Sequence, residues 1–176
     1  TNTATMCNVS TLLVLIPGLP FLATLLTAAM GPTVLGRRSH WPTIAALAVA
    51  LAASLALVGQ VHRGAETTSG TVGYEQTVKL WTWAVVDVSS EPHAGPAARS
   101  FQIDVTLRAD ALSAVMLATV SGIALLVAIY SIGYMRGDPG YWRFFTYIAL
   151  FVFSMTMLVS VSNFLMLYVF WEAVGL

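Results

Sequence analysis

The chain has 176 residues, of which 57% are hydrophobic and only 9% are charged. Soluble domains carry about 25% charged residues, so this composition excludes a soluble core and indicates a polytopic membrane protein. Lys plus Arg and Asp plus Glu both number 8, and the sequence has no basic cluster, so nothing indicates a nucleic-acid partner. Cys7 is the single cysteine, so the chain has no internal disulfide and no cysteine-based metal site.

The first apolar segment, Val9–Met30, is predicted to be a retained transmembrane helix. The residues before it contain no Lys or Arg, whereas a secretory signal peptide begins with a positively charged region. The segment is uncharged and long enough to cross a bilayer core of about 30 Å. Pro17 and Pro20 are expected to kink the helix, and neighbouring helices would satisfy the carbonyl groups that they free.

Four more apolar segments follow in the chain and are predicted to be helices. They are Pro42–Val61, Leu112–Met135, Phe144–Val161 and Asn163–Leu176. The last segment is shorter than the roughly 20 residues that a membrane crossing requires. The predicted fold is therefore an all-α polytopic membrane protein of about five transmembrane helices, the last one truncated, and the chain is expected to be a partial product.

A β-hairpin is predicted in the loop between the second and third helices. Val78–Val86 and Ser100–Leu107 alternate polar positions with aromatic or β-branched ones, a pattern typical of strands. One face of the second strand would carry Phe101, Ile103, Val105 and Leu107. Trp81 and Trp83 of the first strand would lie near the membrane surface. An irregular loop is the alternative to the hairpin.

Basic residues near the helix ends predict which way the chain crosses the membrane. The loops after the first and third helices lie on the same side and hold Arg37, Arg38, Arg136 and Arg143. Positive residues in short loops mark the cytoplasmic side, so the N-terminus is predicted to lie outside. The predicted division of the chain is helices 1 and 2 in residues 1–62, the extracytoplasmic hairpin loop in 63–110, and helices 3 to 5 in 111–176.

Several polar residues have both a structural and a functional interpretation. Asp110 and Ser113 are predicted to cap the third helix, and an acid on an ion path is the alternative. The hydroxyl groups of the fourth helix either line a hydrated half-path or bond carbonyl groups, and we favour the second interpretation. These hydroxyl groups belong to Ser154, Thr156, Ser160 and Ser162.

The histidines and the aromatic residues near Tyr141 are not predicted to form a ligand site. His40, His62 and His93 are predicted to be loop residues without metal-ligand spacing. An interfacial aromatic belt, anchored by Arg136 and Arg143, is predicted from Tyr134, Tyr141, Trp142, Phe144 and Phe145. We expect no quinone or nucleotide site in this belt.

Glu172 is the candidate catalytic residue, with the role of a proton relay. It lies in the apolar run Asn163–Leu176, where an ionisable group costs about 2.5–3.5 kcal/mol when it is placed in hydrocarbon. A relay must alternate between neutral and ionised forms, and burial and a nearby Lys favour opposite forms of a carboxyl group. The structural alternative is a permanently protonated Glu172 that donates a hydrogen bond to a carbonyl or hydroxyl group of another helix.

Four stretches of the sequence together resemble one family. They are Leu15–Pro20, Leu107–Ser113, Tyr130–Phe145 and the run from Asn163 that ends in Trp-Glu-Ala-Val-Gly-Leu. The pattern resembles the beginning of the antiporter-like subunit L (subunit 5) family of NADH–quinone oxidoreductase, respiratory complex I. Cation/proton antiporter subunits of the same superfamily share the Gly-Tyr-Met and Arg-Phe-Phe elements and are the alternative. Ser162 departs from the family, which often has Asp at that position.

The resemblance implies a membrane-arm subunit of a proton-pumping complex, to which this chain would contribute Glu172. In the family, the Glu of the fifth helix faces a Lys of the seventh helix, which would lie beyond Leu176. No cofactor is implied for this chain, because NADH, FMN, Fe–S clusters and quinone would belong to other subunits. The implied partners are other membrane-arm subunits, lipid and protons. The Ala/Val/Arg-rich, Lys-poor composition suggests a GC-rich bacterial gene, so the expected location is a bacterial inner membrane.

The sequence also leads to an expectation for the chain by itself. No Lys follows Lys79, so Glu172 has no obvious cation to face, and the chain alone is expected to translocate no protons. A hypothesis of a different class is a non-catalytic membrane fragment with a structural or assembly role. In either case the chain itself is expected to carry out no redox chemistry.

Overall fold

The computed structural model describes residues 8–67, 75–87 and 100–175, and these ranges contain five α-helices and one β-hairpin. The helices are α1 (Val9–Met30), α2 (His40–Thr67), α3 (Ala111–Tyr134), α4 (Tyr141–Ser160) and α5 (Phe164–Gly175). The strands are β1 (Gln76–Asp87) and β2 (Ser100–Ala109), and a π-helical turn (Gly31–Leu35) and a 3₁₀ turn (Gly36–Arg38) join α1 to α2. The predictions for Cys7, His93 and Leu176 fall outside the described residues.

The helices confirm the predicted all-α polytopic membrane fold. Helices α1 to α4 are each long and apolar enough to cross a membrane, whereas α5 has 12 residues and a length of about 18 Å. The helix ends lie close to the predicted ones, except that α2 continues to Thr67, past the predicted end at Val61. This extension arises because hydropathy marks the part of a helix that lies in lipid, and not the residue at which its backbone hydrogen bonds end.

The helices form a bundle in which α1 contacts α2 and α4, α2 contacts α3, and α5 contacts α4. Pro17 and Pro20 are buried in this bundle, and α1 continues through both residues. One buried cluster packs against β2 and includes Leu13, Ile16, Leu57, Leu107 and Leu117. A second cluster includes Leu47, Ala128, Phe145 and Val152. We call the end of the bundle beside β2 the hairpin end. The opposite end, where Arg37, Arg38 and Arg136 lie, is called the arginine end.

The hairpin has the predicted strands and the predicted buried face. β1 and β2 pair in antiparallel fashion. Ile103, Val105 and Leu107 of β2 are only 8%, 1% and 0% exposed. Leu107 and Val105 pack against residues of the helix ends. The side chain of Phe101, the fourth member of the predicted face, is outside the described part of the structure. The exposed side chains of β1 include Trp81 and Trp83.

Two predictions about histidine and aromatic positions are wrong. His40 begins α2 and His62 lies within it, so neither is a loop residue. Phe145 does not lie at the membrane surface but is fully buried against Tyr141, with their ring centroids 4.9 Å apart. Successive helix positions point about 100° apart, so Phe145 faces the bundle while Phe144 remains half-buried.

Gly31, the first residue of the π-helical turn after α1, allows α1 and α4 to approach closely at the arginine end. A Cβ atom at this position would lie 3.0 Å from Cε3 and 3.1 Å from Cβ of Trp142. Rotation of the Trp142 side chain moves the ring but leaves its Cβ in place. A larger residue at Gly31 would therefore push the two helices apart.

We predict that Gly31→Ala lowers the free energy of unfolding by about 1–3 kcal/mol, as overpacking of a well-packed contact does. Gly18→Ala is the matched control, since a Cβ atom there meets nothing within 4 Å. Ala is favoured over Gly inside a helix by about 0.5–1 kcal/mol, so the control variant should be as stable as the original chain or more stable. Unfolding in mixed micelles, followed by circular dichroism, measures both. Equal stabilities of the two variants would contradict the prediction.

Candidate functional site

Glu172 lies at middle depth along the bundle. It follows Phe164, the first residue of α5, by eight positions, or about 12 Å of helix. The ring of Phe170 packs edge-on against the ring of Phe153 in α4, with centroids 5.8 Å apart. Phe153 lies about 10 Å from the end of α4 at Ser160. Helix α5 thus runs back along α4, and it places Glu172 far from both ends of the bundle.

Glu172 was expected to be buried, but the described helices do not bury it. Glu172 is exposed, and Met166 is the one buried residue among the described positions of α5. Its neighbours Tyr168 and Trp171 are 60% and 65% exposed. The reason is that α5 packs mainly along α4, which leaves the rest of its circumference open. Glu172 therefore stands on an apolar outward surface at a depth where lipid or protein would surround it.

The described residues place no cation beside Glu172. Lys79, the single Lys of the sequence, lies in β1, and its Nζ is 2.8 Å from Oδ1 of Asp104. That hydrogen bond with Lys79 is the largest influence on Asp104 and lowers the pKa of its carboxyl group. The lysine is thus engaged on the hairpin, and within the described part of the chain Glu172 has no ion pair.

The start of α5 is attached to the hairpin. The backbone N–H of Ser162 donates to the carbonyl of Thr106 at 3.1 Å, and the hydroxyl groups of these two residues are hydrogen-bonded. Nδ2 of Asn163 donates to the carbonyl of Asp104 at 3.3 Å, while its Oδ1 accepts from the N–H of Leu165 at 2.9 Å. These bonds cap α5 and fix the point at which it enters the membrane.

Asp110 caps α3 as predicted. Its Oδ1 accepts from the N–H of Ser113 at 2.6 Å, and its own N–H donates to Oγ of Ser113 at 3.1 Å. Nε of Arg108 donates to Oδ2 of Asp110, also at 3.1 Å. Partial burial raises the pKa of Asp110, but the hydrogen bonds from Ser113 and the ion pair with Arg108 outweigh it and lower the pKa to about 2. Asp110 is therefore a charged cap at neutral pH.

The hydroxyl groups of α4 bond carbonyl groups, as favoured from the sequence. Ser154, Thr156 and Ser160 each donate to the carbonyl four residues earlier, at 3.0, 2.8 and 2.6 Å. Ser162 lies past the end of α4 and bonds Thr106 instead. These hydroxyl groups are satisfied locally and need no chain of water molecules beside them.

A groove of about 370 Å³ at the hairpin end brings several predicted polar residues together. Its lining includes Arg108, Asp110, Ser113 and Ser162, but not Glu172. The structure thus separates the capping residues from the candidate relay. Within the described ranges, no three His, Cys, Asp or Glu side chains are grouped closely enough to hold a metal ion.

Sequence reasoning missed several polar contacts between helices. Oγ1 of Thr146 in α4 donates to Oγ1 of Thr27 in α1 at 3.1 Å, and Ser54 of α2 lies 3.5 Å from Ser121 of α3 between their hydroxyl oxygens. The hydroxyl of Tyr141 lies 2.9 Å from Nδ1 of His40. An isolated polar residue in an apolar segment indicates such a contact, but it does not name the partner.

Comparisons with known proteins match this sequence to one family. Residues 97–145 match the family described as "NADH-Ubiquinone oxidoreductase (complex I), chain 5 N-terminus". Subunit L of NADH-quinone oxidoreductase from Escherichia coli K12 is 42% identical over 104 residues, which are 58% of this chain and 15% of that protein. The subunit L of Neisseria meningitidis serogroup A is 33% identical over 171 residues, 96% of this chain and 22% of that protein.

A plant relative gives the same result. Chloroplastic NAD(P)H-quinone oxidoreductase subunit 5 of Poa pratensis is 37% identical over 123 residues, 70% of this chain and 15% of the relative. The chain thus spans less than a quarter of the length of each of these three relatives.

The cap at Asp110 generates a pH-dependent prediction. Asp110→Ala should lower the free energy of unfolding at pH 7 by about 1 kcal/mol, and Asp110→Asn by less, because Asn also caps helices. The pKa of Asp110 is about 2 in the folded chain and about 3.9 in an unfolded one, so the carboxylate stabilises the fold above about pH 4. That stabilisation is lost as the pH falls toward 2.

Unfolding in micelles at a series of pH values between 2 and 7 tests this. The stability difference between the original chain and Asp110→Asn should shrink as the pH falls from about 4 to about 2. A difference that stays constant over the whole range would contradict the assigned role of the carboxylate.

Proposed function

We propose that this chain contributes Glu172 to a proton-translocation path. The chain belongs to the family of antiporter-like subunits L and 5 of complex I and matches the N-terminal part of that family. The path would lie in the membrane arm of a proton-pumping NADH–quinone oxidoreductase. The single observation that carries this proposal is the position of Glu172 at middle depth on an apolar surface.

The energetic cost of that position supports a function completed by other protein segments. An ionisable side chain in hydrocarbon costs about 2.5–3.5 kcal/mol on insertion scales, and such residues normally face a protein interior or a hydrated cavity. The open face of α5 would therefore be covered by helices that carry a cation or polar groups. At most 22% of the length of these relatives aligns with this chain, and their remaining length would supply such helices.

The chemistry of the proposed relay follows from two opposing effects. A nearby cation stabilises a carboxylate, and withdrawal of the cation in a dry environment stabilises the protonated acid. Movement of a covering cation would therefore load and unload a proton at the carboxyl oxygens of Glu172. The hairpin bonds of Ser162 and Asn163 would hold the helix in place during this exchange.

The proposed setting is the inner membrane of a bacterium, with the N-terminus outside. The chain is a multi-pass membrane protein, and the contact between His40 and Tyr141 brings the two arginine-containing loops to the same end of the bundle. Under the positive-inside rule that end would be cytoplasmic. Other membrane-arm subunits, lipid and protons would be its partners. NADH, FMN, Fe–S clusters and quinone would be bound by other subunits.

We predict that the 176-residue chain alone translocates no protons. The reason is that the described helices offer neither a cation nor a polar covering for Glu172. A pH-sensitive dye trapped in liposomes that carry the chain, with an imposed membrane potential, measures the flux. A proton flux larger than that of empty liposomes would refute this prediction if the Glu172→Gln substitution abolishes it.

The relay itself is tested in a complete complex. A chimera would carry this chain in place of the aligned region of the Neisseria meningitidis subunit L, because that alignment covers 96% of this chain. In that chimera, Glu172→Gln should lower proton pumping about tenfold or more, since each 1.36 kcal/mol added to a barrier costs a factor of ten. Glu75→Gln is the matched control, because Glu75 is an exposed acid beside the hairpin.

Pumping is measured per quinone reduced in membrane vesicles, and subunit assembly is checked by native gel electrophoresis. The Glu75 variant should pump like the unmodified chimera. Normal pumping by an assembled Glu172→Gln chimera would show that the residue has only a structural role.

A further inference from the structure

A cavity of about 480 Å³ lies at the arginine end of the bundle, away from Glu172 and the hairpin. The α1–α2 connection contributes Arg37 to its lining, and the α3–α4 loop contributes Arg136 and Asp138. His40 and Tyr141, the first residues of α2 and α4, complete its polar lining. The cavity thus lies where two separate loops meet at one end of the bundle.

The charge of the cavity favours an anion. Among the residues that the structure describes, neither Arg37 nor Arg136 is ion-paired with a carboxylate. Asp138 is the one acid among the lining residues, and its Oδ1 already accepts a hydrogen bond from the N–H of Gly140 at 2.6 Å. Two arginines against one acid leave a net positive charge, and guanidinium groups match the geometry of phosphate oxygens.

Two lining residues of the cavity, His40 and Tyr141, form a contact between two helices. The hydroxyl of Tyr141 lies 2.9 Å from Nδ1 of His40, and the two rings pack edge-on with centroids 5.9 Å apart. Both residues stand at helix N-termini, where the backbone carries partial positive charge. These features add to the attraction of the two arginines for an anion.

The surroundings of the cavity favour a lipid as the source of that anion. Gly133 lines the cavity, and Leu126 and Ile129 lie on the same face of α3, seven and four residues before it. Leu126 and Ile129 are 69% and 48% exposed. An apolar surface thus continues from the charged cavity into the membrane, as an acyl chain below a headgroup requires.

We propose that this cavity binds a phosphate group, carried by the headgroup of an anionic phospholipid. Arg37 and Arg136 hold the phosphate oxygens, and the acyl chains lie along Leu126 and Ile129 of α3. The bound lipid joins the two loops at the arginine end. This site is independent of the proposed role of Glu172, and either can hold without the other.

The test compares two double variants with the same loss of charge. Arg37→Gln/Arg136→Gln removes the two lining arginines. Arg38→Gln/Arg143→Gln removes one arginine from the α1–α2 connection and one from the first turn of α4. Neither residue lines the cavity, and Arg143 packs over the ring of Trp142. Each chain is purified in a neutral detergent and titrated with dioleoylphosphatidylglycerol or dioleoylphosphatidylcholine, and bound lipid is counted by native mass spectrometry.

The original chain should bind phosphatidylglycerol more tightly than phosphatidylcholine. The Arg37/Arg136 variant should bind phosphatidylglycerol about tenfold more weakly, whereas the Arg38/Arg143 variant should change less than about twofold. Equal weakening in both variants would reveal a general charge effect and overturn the proposal. The absence of any preference for phosphatidylglycerol in the original chain would also overturn it.

Two further experiments identify the source of the phosphate and check that the variants are folded. Sodium phosphate at millimolar concentration that displaces phosphatidylglycerol would support a phosphate site filled from solution, and failure to displace it would support the lipid. Arg37→Lys/Arg136→Lys keeps both charges and should retain most of the preference, since Lys also binds phosphate. Loss of the preference in this variant with unchanged circular dichroism would count against the charged cavity.

Discussion

The attachment of β2 to the α4–α5 connection is the interaction on which the rest of the structure depends. Between Val161 and Asn163 the backbone leaves helical geometry near the membrane edge, where an unpaired N–H or carbonyl group is costly. The strand offers its own carbonyls at Thr106 and Asp104 as partners, and Leu107 sits fully buried against the helix ends. This arrangement closes the bundle at the hairpin end. It also sets where α5 begins, and therefore the depth at which Glu172 lies.

Inside the bundle, polar groups also need hydrogen-bond partners, and each helix mostly supplies its own. Serine and threonine hydroxyls mostly donate to carbonyls of their own helix, so they add little to contacts between helices. Contacts between helices depend instead on shape, as where Gly31 admits Trp142, and on a few polar pairs such as Thr27 with Thr146. The fold at the arginine end is therefore sensitive to side-chain volume. At the hairpin end it is sensitive to hydrogen bonding.

Features with a local cause could be predicted from the sequence. Hydropathy located the helices, alternation identified the buried face of β2, and the spacing of Asp110 and Ser113 gave the cap. Contacts between distant residues could not be predicted, because Thr106 and Ser162 are 56 positions apart and nothing local pairs them. Exposure was equally hard to predict, since lipid and protein interior are both apolar and a hydropathy pattern does not separate them. Phe145 was wrongly placed at the surface, and Glu172 was expected to be buried, for this reason.

The neutral side chains of Ser162 and Asn163 have a consequence for how the hairpin attachment behaves. The hydrogen bonds of Ser162 and Asn163 to β2 use only hydroxyl, amide and backbone groups, and none of these groups gains or loses a proton in the physiological range. Hydrogen bonds between neutral groups are also little affected by ionic strength, unlike pairs of exposed charges. The hydrogen bonds of this attachment are therefore all made by uncharged groups. Protons that accumulate at that surface would not titrate these hydrogen-bonding groups, so a response of α5 to acidity would have to come from other groups.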